Sequence, residues 1–295
     1  MRLEKFGWSI LALIAMLLFS ACQPDLSLVN EEPQAAEPDG SNGTADGISG
    51  QIQIAGSSTV QPLAEVLAEA FMADHPDVTI EVQGGGSSVG ITAAGEETVD
   101  IGMASRNVKE SEFATFSNLE VFVIAFDGIA IVTQSDLELP SLTVEQVKGI
   151  FAGEITNYAE VGGPDSEIIV VSREEGSGTR AAFEELVMEA GEDAGEITEN
   201  ALLQQSNGQV RTTVSTTPNA IGYVSFGFLD ESVNNVAIDG AEPRVENVKD
   251  ESYTIFRPLN MLTNGTPNSL SQAFLDFILS AEGQAIVAED YITVN

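Results

Sequence analysis

The sequence predicts an α/β fold. Short β-prone runs alternate with amphipathic stretches over about 245 residues, the turns between them are rich in Gly, Ser and Thr, and no internal repeat is present. Residues 51–55 form the first β-prone run, ending at Gly56. Residues 62–74 then set Leu63, Val66, Leu67, Ala70 and Phe71 at i, i+3, i+4, i+7 and i+8, the apolar face of a helix. That helix stops at His75-Pro76, because the residue before a proline is pushed out of the helical region. Strands at 78–82 and 99–103 flank a helix at 87–95. Residues 119–133 are a long apolar run that Asp127-Gly128 is expected to break. A helix at 143–151, a buried strand at 168–172 and a helix at 179–190 follow. A helix near 209–217, strands at 220–224 and 253–263, and helices within 269–288 complete the pattern. Such alternation implies parallel-rich sheets covered by helices, in one large unit or two lobes, with ligands held where strands end and helices begin.

The N-terminus reads differently. Arg2 and Lys5 precede an apolar run from Trp8 to Phe19, too short to span a bilayer, then Ser20, Ala21 and Cys22. Residues 1–21 therefore read as a signal peptide. Cys22 after Phe19-Ser20-Ala21 resembles the lipobox of bacterial lipoproteins, which implies lipidation at Cys22 and a lipid anchor to the membrane. It is the sole cysteine, so no internal disulfide forms. Residues 22–50 carry Asp25, Glu31, Glu32, Glu37, Asp39 and Asp46, no Lys or Arg, and few apolar side chains; they read as a disordered acidic tether.

The formal net charge is −35, and losing Arg2, Lys5 and Glu4 with residues 1–21 makes it −36. Such acidity excludes nucleic acid and anionic lipid headgroups as partners, which need basic surfaces. It does not exclude a small anion. An Arg about 4 Å from a unit charge is worth about 4 kcal/mol at an effective dielectric of 20, whereas a carboxylate ~20 Å away through water contributes ~0.2 kcal/mol before screening.

Three turns share one design. They are Gly56-Ser57-Ser58-Thr59-Val60-Gln61-Pro62, Gly84-Gly85-Gly86-Ser87-Ser88-Val89-Gly90, and Arg173-Glu174-Glu175-Gly176-Ser177-Gly178-Thr179-Arg180. Each sets glycines and hydroxyls at a helix start, where unpaired N–H groups and the helix dipole favour an anion. Arg173 adds a planar, permanently charged fork. Ser and Thr are also the commonest helix caps, so any one turn alone reads equally as a cap. No Lys stands where a phosphate-binding loop of the nucleotide type requires it. A nucleophilic serine at Gly176-Ser177-Gly178 would need a base, and the single histidine, His75, is poorly placed at a helix end. One His and one Cys leave no metal site beyond dispersed carboxylates, and no cofactor is expected.

From Gln51 onward the chain resembles the PstS family of phosphate-binding proteins of ABC importers. The most specific element is Ser172-Arg173-Glu174-Glu175-Gly176-Ser177-Gly178-Thr179, supported by Ala55-Gly56-Ser57-Ser58-Thr59-Val60-Gln61-Pro62, Gly86-Ser87-Ser88 and Val99-Asp100-Ile101-Gly102-Met103-Ala104-Ser105-Arg106. Thr217-Pro218-Asn219-Ala220-Ile221-Gly222-Tyr223-Val224, Arg257-Pro258-Leu259 and residues 277–284 also fit. The resemblance implies an α/β two-lobed periplasmic-binding-protein fold with a two-strand hinge. Lobe 1 would be residues 51–126 and 257–295 and lobe 2 residues 127–256, crossing near 126–128 and 256–259. It further implies a non-enzymatic, monomeric receptor that passes inorganic phosphate to membrane permease subunits. The phosphate-binding residues it implies are Ser58, Thr59, Ser87, Ser105, Arg106, Arg173, Ser177, Gly178 and Thr179, with Glu175 orienting Arg173. Some members carry an aspartate just after the Val-Asp-x-Gly strand; Ser105 and Arg106 stand there instead. That substitution leaves sulfate, molybdate and arsenate as alternative ligands, and a surface serine hydrolase as the rival from another class.

Overall fold

The computed structural model describes residues 48–191 and 193–294; the expected signal peptide, Cys22 and the tether up to residue 47 lie outside the described residues. β1 (Gly50–Gly56), α1 (Gln61–Asp74) and β2 (Val78–Gly84) form a first βαβ unit with β1 and β2 parallel. α2 (Ser87–Gly95) carries the chain back to β3 (Ile101–Ala104), parallel to β1 on its other side. α3 (Glu110–Thr115) leads into β4 (Leu119–Gln134). α4 (Val144–Ala152), β5 (Ile169–Arg173) and α5 (Gly178–Phe183) follow, and α5 runs into one π turn at Glu184–Met188. β6 (Leu202–Gln204), α6 (Asn207–Thr216), β7 (Ala220–Ser225), β8 (Val233–Val236) and α7 (Val245–Lys249) precede β9 (Phe256–Asn264). α8 (Ser269–Leu279) and α9 (Ala281–Asp290) close the chain.

The strands pair in the order β2-β1-β3-β9-β4-β7-β5-β6, with β8 also on β4. Parallel pairing is confined to the two ends, β1 with β2 and β3, and β5 with β6 and β7. Every pairing made by β4 or β9 is antiparallel, so the sheet is mixed rather than parallel-rich throughout. The two largest of four buried apolar clusters among the described residues flank this middle. One gathers Ile52, Ile54, Leu67, Phe71, Met103, Leu259 and Phe274. The other gathers Ile131, Val147, Phe151, Phe183, Val187, Tyr223 and Ile255. The protein thus has the two-lobed α/β fold.

β4 is continuous where the sequence predicts a break. Its Ile124 and Ala125 lie in the first core and its Ile129 and Ile131 in the second, while β9 runs back beside it with Phe126, Asp127 and Gly128 opposite Pro258, Arg257 and Phe256. Both turn-like residues have tertiary reasons to sit in a strand. Asp127 forms an ion pair with the cross-strand Arg257 at 3.0 Å. At Gly128 a Cβ would stand 2.2 Å from the Phe226 ring. A bulge between Val123 and Ala125 shifts the register just before the crossing.

Close backbone contact seats the first two turns. A Cβ on Gly90 of α2 would lie 2.3 Å from the Met103 carbonyl oxygen and 2.8 Å from the Gly56 Cα, and one on Gly102 would lie 2.3 Å from the Gly90 carbonyl. These glycines let α2 rest directly on β1 and β3, which brings Ser87 to the strand ends. Behind β3, Arg106 grips α3 through Glu112 at 2.7 and 2.8 Å, and Glu112 also accepts the Lys109 N–H at 2.8 Å. Burial works to raise the Glu112 carboxyl, but the Arg106 N–H groups, the Lys109 N–H and both positive charges hold it below its ordinary 4.5.

Two tests follow from this packing. Gly90→Ala should lower the melting temperature by several degrees, about 2 kcal/mol, although helix propensity alone favours Ala by about 1 kcal/mol. A neutral or raised melting temperature would show that α2 has room to move off the sheet. Because the Glu112 carboxyl is depressed in the folded state, its contribution is present above the unfolded value of 4.5 and lost as pH falls through the lower folded value. Melting curves of Glu112→Gln should therefore fall below wild type by about 1 kcal/mol near neutral pH and converge with it in acid.

Candidate anion site

The carboxyl ends of β1, β3 and β5 meet at the crossing, and the three Gly/Ser/Thr turns converge there. Ser57, Thr59, Ser87, Ser105, Ser177, Thr179, Asn207 and Arg173 are each at most 2% exposed. Such a concentration of buried hydroxyls requires mutual satisfaction, and the bonds run between the turns. Ser57 Oγ donates to Ser105 Oγ at 2.8 Å, and the Ser105 N–H donates to Ser87 Oγ at 2.9 Å. Thr59 and Thr179 hydroxyls share a bond of 2.9 Å, and Asn207 Nδ2 donates to Thr59 Oγ1 at 2.8 Å. Ser88 N–H donates to the Gly176 carbonyl at 3.1 Å. Residues 57–88 and 173–207 are thereby in direct contact. The approach is close enough that a Cβ on Gly178 would fall 2.0 Å from Ser87 Oγ and 2.5 Å from Ser105 Oγ. Only a glycine fits there.

Arg173 ends β5 and is 1% exposed. Its backbone N–H donates to Tyr223 Oη at 3.3 Å, and Tyr223 also bonds Ser172 at 2.8 Å and stacks on Phe183. Burial pushes the Tyr223 phenol up to about 12, so it stays a neutral anchor. The guanidinium donates through Nε and Nη2 to Glu174 at 2.9 and 3.0 Å, and Nη2 also reaches Ser58 Oγ at 3.2 Å. Nη1 is buried without a partner. The orienting carboxylate is Glu174 and not Glu175, which is exposed. Pairing β5 with β6 explains the swap, since Gln204 and Gln205 carbonyls on that side also accept from the same guanidinium at 3.2 Å.

Of the residues singled out from sequence, Ser58, Thr59, Ser87, Ser105, Arg173, Gly178 and Thr179 meet in this cluster. Ser177 Oγ caps α5 by accepting from the Arg180 N–H at 3.2 Å. Arg106 stands behind the cluster: its fork is on Glu112, and its Nη2 reaches Ser88 Oγ at 3.1 Å. Among the described residues no carboxylate hydrogen-bonds to the hydroxyls of the cluster, and Ser105 occupies the place at the end of β3. Sequence reading missed Asn207, whose signal was the cap Ser206 that begins α6 two residues earlier than expected. It also missed Ser57 and the Asp127–Arg257 pair. His75 packs on Phe71 with ring centroids 4.4 Å apart, at the far end of a 14-residue helix about 21 Å long, remote from Ser177. Among the described residues no group of His, Cys, Asp and Glu is arranged to hold a metal ion.

A profile of the PBP superfamily domain matches residues 41–282. The phosphate-binding protein PstS of Bacillus subtilis is 36% identical over 84% of this chain and 82% of its own length. A candidate phosphate ABC transporter substrate-binding protein from Clostridium perfringens, solved with bound phosphate, is 44% identical, with a TM-score of 0.78 over 83% of this chain and all of the other. An ABC-type phosphate transport receptor from Vibrio cholerae is 36% identical with a TM-score of 0.69, over 82% of this chain and 99% of its own. With its fold, its turns and this degree of identity over most of its length, the chain belongs to the PstS family of the PBP superfamily.

Proposed function

We propose that this protein is the extracytoplasmic receptor of an ABC importer, and that it captures inorganic phosphate between its two lobes. The observation that carries the reading is the buried Arg173, aimed with hydroxyls from both halves into one water-excluded cluster. Residues 51–126 with 257–295 act as one lobe and 127–256 as the other, bending where β4 and β9 cross. Ser58, Thr59, Ser87, Ser105, Ser177, Gly178 and Thr179 supply hydroxyl and amide donors, and Arg173 supplies charge. Arg106, tied to Glu112, supports Ser88 and contributes less. Cys22 carries the lipid anchor, the receptor acts as a monomer, and it performs no catalysis. Among the described residues no helix is long and apolar enough to cross a membrane.

Titration calorimetry of residues 22–295 should show saturable one-to-one phosphate binding; no heat at millimolar phosphate would overturn the reading. Arg173→Gln should weaken binding at least about 100-fold, the ~3 kcal/mol expected of a buried charge-assisted contact, and Arg106→Gln by less than about tenfold. Equal losses would overturn the ranking of Arg173 above Arg106.

A second reading rests on Ser105. A hydroxyl donates as readily as it accepts, so the cluster has no carboxylate to repel a fully deprotonated oxyanion. Competition by sulfate, molybdate and arsenate against phosphate measures this: displacement by sulfate at comparable concentration favours a general oxyanion receptor, and its failure at a hundredfold excess favours phosphate.

A further inference from the structure

Arg173 has a counterpart. Arg257, on β9 at the crossing, is 3% exposed and donates through Nε and Nη2 to Asp127 Oδ2 at 3.3 and 3.0 Å. Arg173 uses the same Nε/Nη2 edge on Glu174. In a planar guanidinium that edge faces its carboxylate, so the remaining Nη1 must point away from it. Among the described residues five buried side-chain atoms lack a hydrogen-bond partner, and two of them are the Nη1 atoms of Arg173 and Arg257. A buried, charged N–H without a protein acceptor is costly and calls for an acceptor from outside the protein, a water or a ligand atom.

Hydrogen bonds connect the two arginines' surroundings. Burial lowers the Arg257 guanidinium value against the pull of Asp127, and the positive charge of Arg173 lowers it further. Asp127 Oδ1 accepts from Ser225 Oγ at 2.9 Å, the Ser225 N–H donates to Asn207 Oδ1 at 3.2 Å, and Asn207 Nδ2 donates to Thr59 Oγ1 at 2.8 Å. An unbroken buried path thus runs from the crossing ion pair to the Thr59–Thr179 bridge. Two guanidiniums, each already paired with one carboxylate and each with an unused N–H, offer an oxyanion two charge-assisted donors.

We infer that Arg257 is a second anion-pairing arginine of the site, its Nη1 donating to the bound oxyanion while Asp127 fixes its fork on the hinge strands. This rests on the oxyanion reading above. Asn207 positions Thr59 in the same assembly. Because Asp127 and Arg257 lie on the two crossing strands, the anion is held by the hinge itself as well as by the two lobes.

Removing Arg257 alone would leave Asp127 buried and unpaired, so the test uses the double variant Asp127→Asn/Arg257→Gln. It keeps the net charge unchanged and leaves two amides able to bond each other. A cooperative melt together with at least tenfold weaker phosphate binding than wild type is expected, because the neutral pair restores the crossing but not the charged donor. A folded double variant with affinity within twofold of wild type overturns the inference and leaves the receptor reading intact. If wild type itself binds no phosphate, that reading fails and the inference falls with it. Should the double variant not fold, a crystal structure of wild type with phosphate decides: Arg257 Nη1 bonded to a phosphate oxygen supports the inference, and Nη1 bonded to a protein carbonyl or to solvent alone overturns it.

Discussion

Two apolar cores are joined by strands that must pass between them, and at that passage backbone and side chains lose water without gaining a core. β4 and β9 solve the backbone half of the problem by pairing with each other through the crossing. The Asp127–Arg257 pair, 0% and 2% exposed, solves the side-chain half. Burial pushes the Asp127 carboxyl up and the Arg257 guanidinium down, each against the attraction of its partner. Such a pair returns little net stability compared with apolar residues of similar size, but losing one member costs about 3–5 kcal/mol. It therefore acts as a constraint. It forces the two strands to stay in register at Asp127 opposite Arg257, and every turn that reaches the cluster is placed relative to that point.

The same constraint reconciles an anion site with a chain of formal charge −35. The acids nearest the cluster, Glu174 and Asp127, are each committed to an arginine. Locally the four charges cancel, and what an oxyanion meets is a set of oriented N–H and O–H donors at short range. Distant surface carboxylates act through water and salt, where a Debye length of about 8 Å erases them. On the proposed reading, affinity is thus decided by donor geometry within the cluster, and the acidic surface bears on solubility.

Much of this was legible in the sequence, for a physical reason. Glycine and hydroxyl turns at helix starts are local features, periodicity places α1, and the expected α2 and α4 fall within a residue of those observed. What was not legible depends on partners distant in the chain. Asp127-Gly128 reads as a break by local rules, yet Asp127 is neutralised by a residue 130 positions later and Gly128 makes room for Phe226. The family resemblance implies Glu175 as the partner of Arg173, and Glu174 takes that place because the pairing of β5 with β6, a three-residue strand with no pattern of its own, turns the Arg173 fork toward Gln204. α3, β6, β8 and α7 are all six residues or shorter, too brief for periodicity to declare them. Asn207 joins the cluster only because α6, capped by Ser206, begins at Asn207 and Thr59 is brought against it.

Selectivity in a cluster without a carboxylate acceptor has to come from the hydroxyls. A serine hydroxyl has one proton and two lone pairs, and it can turn to accept the proton of hydrogen phosphate or to donate to an oxygen that has none. Ser105 is not free to turn at no cost: its Oγ already accepts from Ser57, and its N–H is spent on Ser87. With Ser57 donating to it, Ser105 can point its own proton at the ligand or at Ser87 Oγ, 3.3 Å away. A ligand that needs an acceptor uses the second lone pair of Ser105 Oγ while the Ser105 proton turns to Ser87; one that needs only donors takes that proton itself. The difference between the two is the difference between hydrogen-bond arrangements of similar energy, a fraction of the several kcal/mol that facing two acceptors would cost. On the proposed reading, discrimination at Ser105 is therefore intrinsically weaker than at a carboxylate, and the arginines carry the burden of holding the anion.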